Sequence, residues 1–161
     1  MRTLSVLAFA VASGKVGYVY IADGMLQDWG ITVKAAQDGS QLVGFAQGLI
    51  TNLRPNIVVT ENTGHGSRKG AHTKRLIRSL AELASHNCVL DVSVNRPRTF
   101  PSKYEEADAL AAQYPEMLGY LPAQKRSILD FEPRSMVLFE ALALAEEIMA
   151  GPPTDLAAAM G

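Results

Sequence analysis

The sequence predicts an α/β domain built on a mixed five-stranded sheet, a three-stranded antiparallel meander plus two parallel strands, with helices on both faces. Three observations carry that prediction. The first 33 residues hold three apolar segments separated by short turn signals, the pattern of a meander. Beyond them the apolar spacing changes to threes and fours, the period of a helix. Two later apolar runs are each reached through such a helical stretch, the kind of crossover that parallel strands require.

Taken in order, Leu4–Val11 is apolar enough for a central strand. Ala12-Ser13-Gly14-Lys15 reads as a turn, Val16–Ile21 as the returning strand, and Asp23-Gly24 as a second hairpin leading into a strand across Gln27–Val33. A helix follows from Ser40 to Leu53, with Ser40 as N-cap and Pro55 just past its end. Ile57, Val58 and Val59 form a β-branched run suited to a strand buried on both faces. A glycine-rich polar stretch, Thr63–Gly70, then precedes a helix over Ala71–Ser85 with a stripe of Leu76, Ile77, Leu80, Leu83 and Ala84. Cys88–Val94 reads as the fifth strand and Asn95–Ser102 as loop. Tyr104–Tyr114 favours helix, and Leu118–Phe131 reads as an irregular connector. Pro133 suits the first position of a last helix running to about Ala150. One domain over residues 1–150 is expected, with 151–161 a loosely held extension.

Composition narrows the function classes. Apolar residues make up 48% and charged ones 19%, the balance of a soluble globular protein. The formal net charge of -1 means that any nucleic-acid contact must use local basic patches. Cys88 is the only cysteine, which excludes an internal disulfide and suggests a buried thiol in a reducing cytoplasm. No apolar run is long enough to span a membrane, and the start lacks a convincing signal-peptide core, so a cytoplasmic location is expected.

Several residues are candidates for chemistry. Glu61 ends the β-branched strand, and reactive groups of open α/β sheets gather at the carboxyl ends of parallel strands. The bland alternative is a solvated loop carboxylate. Glu140 shares its helix face with Met136, Val137, Ala143 and Leu144, all apolar, so it should point inward, unlike Glu146. A carboxylate there needs a metal, a cation or hydrogen-bond donors, and an arginine such as Arg134 would serve as a purely structural partner. Between Glu61 and Glu82 there is no acid, whereas Arg68, Lys69, Lys74, Arg75 and Arg78 fall there among glycines. Glycine lets a backbone approach a ligand and a helix N-terminus favours phosphate, so this stretch is a candidate nucleic-acid contact or else a solvated basic loop. His65 and His72 are either metal ligands or proton carriers, or plain loop histidines. Arg96, Arg98 and Lys103 form a second basic set, with Lys103 a candidate for reaching a phosphate; Glu105 and Glu106 are explained by helix capping. Trp29, Tyr114 and Tyr120 are too scattered for a stacking platform and read as packing residues.

The strand and helix order is that of the ribonuclease H-like fold, and the residues carry a narrower likeness. Val6–Tyr18 resembles the opening strand and turn of RuvC-type Holliday junction resolvases, where an apolar strand runs into Gly-Ile-Asp-Pro-Gly-Ser and then Gly-Tyr. Glu61 looks like that family's second acid, and Phe139–Ala145 resembles its last-helix signature, Asp-Ala-Leu-Ala-Ile-Ala. The resemblance implies a nuclease using Mg²⁺ or Mn²⁺ on branched DNA, with Glu61, Glu140 and Glu132 as metal ligands and a homodimer matching the symmetry of the junction.

One position departs from the pattern. Ala10 stands where the family has its first-strand aspartate, and Val11-Ala12 replaces the Pro-Gly after it. In the family that aspartate looks like the bridge between two metals, and two-metal cleavage needs several hard oxygen ligands around ions about 4 Å apart. A methyl group supplies none. Either Glu132 or Asp130 is recruited instead, or the acidic site is incomplete. Two functions follow: a structure-selective endonuclease of the resolvase group, or a binding or assembly module that keeps the fold without the cleavage. A nucleotide or sugar-phosphate enzyme is a third reading, with no adenine-binding glycine motif to support it.

Overall fold

A run of seven apolar residues with no polar break has to be covered on both sides, and that requirement places the first strand at the centre of the sheet. The structure, a computed structural model, describes residues 4–64, 69–95, 100, 102–121 and 135–150. Strands β1 (Val6–Ala12), β2 (Lys15–Ala22), β3 (Met25–Thr32), β4 (Ile57–Glu61) and β5 (Leu90–Val94) form one sheet in the order β3-β2-β1-β4-β5. The first three pair antiparallel, and β1, β4 and β5 pair parallel. Helices α1 (Gly39–Leu53), α2 (Ala71–His86), α3 (Lys103–Gln113) and α4 (Met136–Met149) complete the expected mixed α/β architecture.

Both hairpins are tight because their turn residues accept the left-handed region. Ala12 pairs with Lys15 across Ser13-Gly14, where Gly14 has φ 76°. Ala22 pairs with Met25 across Asp23-Gly24, with φ 56° and 71°, the double left-handed turn that matches strand twist.

Alternation along β1 divides the core. Val6, Ala8 and Ala10 face a layer made by α3 and α4, while Leu7, Phe9 and Val11 face α1 and α2. Helix α4 is buried continuously from Met136 to Leu142 and again at Leu144 and Ala145. A helix apolar on nearly all sides belongs inside, and α4 lies across β1 and β2.

Local details differ from the sequence expectation. Asp38, not Ser40, caps α1: its extended backbone lets Oδ1 accept from the Gln41 amide at 2.8 Å and from the Ser40 hydroxyl at 2.9 Å. An ionised oxygen is the stronger acceptor for the open first turn, and these bonds hold the Asp38 carboxyl below its ordinary range. Cys88 is exposed, not buried, with φ 57°. It belongs to the turn that closes α2, where Cys88 and Val89 donate to the Ser85 and Ala84 carbonyls, so β5 begins only at Leu90. Part of the expected irregular connector is a 3-10 helix, Pro115–Tyr120, that buries Met117. Its Tyr120 meets Trp29 edge to face at 6.1 Å, which is packing, as expected of both rings. Pro133 and the extension 151–161 lie outside the described residues.

Asp91 is the uncomfortable residue of the sheet. It pairs in register with Val58, on the α1–α2 side, and its Oδ1 is buried without a hydrogen-bond partner among the described residues. Burial pushes its carboxyl above the usual range. A raised acid stabilises the fold only below its ordinary pKa, and that contribution is lost as pH rises through the folded value. Asp91→Asn is therefore expected to stabilise the protein at pH 7 by about 0.5–1 kcal/mol, a figure reduced for the solvent that reaches the group. Denaturant unfolding at acidic and neutral pH should show the variant's advantage only in the neutral sample.

A candidate acidic site at the strand ends

Parallel strands bring their carboxyl ends together, and here the first thing they bring together is a gap. Ala8 of β1 is registered against Val59 of β4. Ala10 and Glu61 lie two residues further on, and period-two alternation keeps both on the α3–α4 face. Ala10 is buried and offers a methyl group. Its antiparallel partner is Gly17, and a Cβ on Gly17 would lie 2.9 Å from both Cγ1 and the carbonyl oxygen of Val137. Helix α4 thus sits directly on the β1–β2 floor, and it presents a valine there.

One turn further along α4 comes Glu140, inward and buried at 7% exposure, as its apolar neighbours at three and four residues required. Its Oε1 accepts from Lys103 Nζ at 3.0 Å. Lys103 opens α3, where Ser102 caps the helix by accepting from the Glu105 amide, and Glu105 and Glu106 occupy the first turn. Those two acids are accounted for by the cap. Lys103 is half-exposed, with its stem along the surface and its ammonium against the buried carboxylate.

Glu61 has a lysine of its own. Lys69 Nζ lies 3.2 Å from Glu61 Oε2 and donates to the Val11 carbonyl at 2.8 Å. Just after β4, Asn62 donates its amide to the Val94 carbonyl, and its side-chain oxygen accepts from the Gly64 amide. Lys69 thereby ties the segment before α2 back to the end of β1. Lys74 and Arg75 follow on the first turns of α2, Lys74 half-buried and Arg75 exposed, as is Arg78. Helix α2 starts at Gly70 with no side-chain cap and no acid in its first turn. His72 donates from Nε2 to the Ala36 carbonyl at 3.2 Å, a bond that pins α2 to the segment before α1.

The sequence-predicted residues therefore separate into groups. Glu61 with Lys69, and Glu140 with Lys103, are brought together in pairs; Lys74 and Arg75 are placed on α2. Arg68, His65, Arg96, Arg98, Asp130, Glu132 and Arg134 lie outside the described residues. No three histidine, cysteine, aspartate or glutamate side chains among the described residues are grouped to hold a metal. A pair of hard cations needs carboxylates free to turn toward them and a ligand between them. Here the strand supplies Ala10, the helix supplies Val137, and each of the two acids is engaged by an ammonium. Among the described residues, this set of donors does not fit a two-metal centre. Sequence reasoning did not foresee these two lysines as partners of the acids: it read Glu140 as a metal ligand, with an arginine such as Arg134 as the structural alternative, and considered Lys69 and Lys103 only as DNA contacts. A signal for Lys103 existed, since it sits at the head of the helix that follows the fifth strand.

No known family model matches the chain, and no curated protein sequence does. Solved structures match across its length. RuvC of Thermus thermophilus superposes with a TM-score of 0.57 at 15% identity, covering 92% of this chain and 97% of that one. The same protein in complex with a Holliday junction substrate gives 0.58 at 15% identity, over 92% and 96%. The Holliday junction resolvase of fowlpox virus gives 0.59 at 13% identity, over 92% and 100%. At such identities the likeness is one of fold, and the fold is that of the RuvC-type resolvases. No helix among the described residues is long and apolar enough to cross a membrane.

Proposed function

We propose that this protein binds branched DNA with a resolvase fold and does not cut it. The observation that carries the reading is the pair of lysine–carboxylate contacts, one at the end of β4 near Ala10 and one between α3 and α4, in a fold whose solved neighbours include complexes with Holliday junction DNA. Lys74 and Arg75 stand beside the open N-terminus of α2, where cationic side chains and unsatisfied amides suit a phosphate backbone. Such contacts position DNA without reading sequence, so selectivity would come from the shape of the junction. Two copies of the chain would match the symmetry of a four-way junction, and a homodimer is part of the proposal.

The second reading is a structure-selective endonuclease dependent on Mg²⁺ or Mn²⁺, with Glu61, Glu140 and Glu132 as ligands. What favours it is the placement of Glu61 and Glu140 on one face of the sheet. It would require both lysines to release their carboxylates.

Fluorescence anisotropy with a four-way junction, a duplex and a single strand, all in EDTA, tests the binding claim. The junction should be preferred by at least about 10-fold over duplex at equal ionic strength. Lys74→Glu with Arg75→Glu should weaken all three substrates together and flatten the salt dependence by about two units of slope. Equal affinity for the three, or none for any, would rule the proposal out.

A further inference from the structure

We infer that Lys69 and Lys103 are the resident cations of this acidic site and close it to divalent metal. The inference extends the non-cleaving reading but concerns metal alone, so its test contains no DNA and stands or falls separately. Lys69 Nζ meets a carboxylate oxygen of Glu61 and the carbonyl oxygen of Val11, the residue after Ala10. A carboxylate together with a backbone carbonyl is the oxygen set that a hard cation uses. The ammonium stands among those oxygens as a tethered monovalent ion. Lys103 places its ammonium 3.0 Å from Glu140 Oε1, the carboxylate that is the more buried of the two.

A divalent ion binding Glu61 would have to displace Lys69, and the displaced ammonium would remain close to a doubly charged neighbour. The tether makes this competition steep: Lys69 belongs to the segment that leads into α2, so its effective concentration at Glu61 is fixed by the chain and cannot be diluted away. The side chains of Ala10 and Val137 are hydrocarbon and add no oxygen that would tip the balance toward the metal. The ammonium also carries its charge at any metal concentration, so the electrostatics of the strand ends should not vary with Mg²⁺ supply.

The experiment is a Mn²⁺ titration of the full chain, read by the electron paramagnetic resonance signal of free Mn²⁺, with Glu61→Gln run in parallel so that ions held elsewhere cancel. Wild type and Glu61→Gln should give the same curve. Lys69→Met, which keeps the stem and removes the charge, should bind Mn²⁺ at least about 10-fold more tightly than wild type, and Lys69→Met with Ala10→Asp more tightly again. The inference is overturned if wild type binds Mn²⁺ and Glu61→Gln does not. It is equally overturned if a folded Lys69→Met binds no better than wild type. Should Lys69→Met fail to fold, the wild-type comparison still decides, and Lys103→Met against Glu140→Gln repeats the test on the second pair.

Discussion

Incubated with a four-way junction and millimolar Mg²⁺ or Mn²⁺, the protein is expected to return the DNA uncut on a denaturing gel. Uncatalysed phosphate-ester hydrolysis is among the slowest biological reactions, and nuclease-type catalysis must supply accelerations of about 10¹⁵-fold or more. In a two-metal mechanism that stabilisation comes from ions held on both sides of the phosphorus, so removing the ligand between them costs most of it. Ala10 provides no ligand, and Lys69 and Lys103 engage Glu61 and Glu140, the two candidate acids among the described residues. Ala10→Asp alone should not revive cleavage, because the new carboxylate would meet Lys69 before it met a metal. Metal-dependent cutting by the wild type, abolished by Glu61→Gln, would falsify the non-cleaving reading.

The second large effect is on stability. Gly17→Ala should destabilise the protein by about 2 kcal/mol, and Gly17→Val by more. The added Cβ would stand 2.9 Å from the carbonyl oxygen of Val137 and 3.0 Å from its carbonyl carbon, backbone atoms that cannot rotate aside. Helix α4 would have to lift off β1 and β2, the strands it covers. Gly44→Ala is the control. Gly44 lies in α1 with open space around its Cα, so that variant should gain about 0.5–1 kcal/mol from helix propensity. Denaturant unfolding of the two alanine variants should therefore move in opposite directions. A Gly17→Ala protein as stable as wild type would mean that α4 does not rest on the floor of the site.

How far the sequence could be read depended on the range of the interaction involved. The order of strands and helices along the chain and the central place of β1 were legible because alternation, turn residues and the change of apolar period are local signals. The inward aim of Glu140 was legible too, since helical spacing alone puts Met136, Val137, Ala143 and Leu144 on its face. What holds Glu140 was not: Lys103 is 37 positions away, and nothing local to either residue announces the pair. The contact between Lys69 and Val11 spans 58 positions and ends on a backbone carbonyl, which leaves no mark in the residue type. Cys88 was misplaced because a thiol usually prefers the interior, whereas the turn that closes α2 required a left-handed residue there. Ser40 competed with Asp38 for the cap and lost to an ionised oxygen reached from extended backbone. Asp91 showed no warning, since a single acid in an edge strand ordinarily faces water.

Crystals soaked in MnCl₂, with data collected for manganese anomalous scattering, address the central claim most directly. The account predicts no anomalous peak within coordinating distance of Glu61 or Glu140, with Lys69 Nζ still against Glu61 and Lys103 Nζ still against Glu140. A peak bridging the two carboxylates, with both lysines swung away, would contradict it.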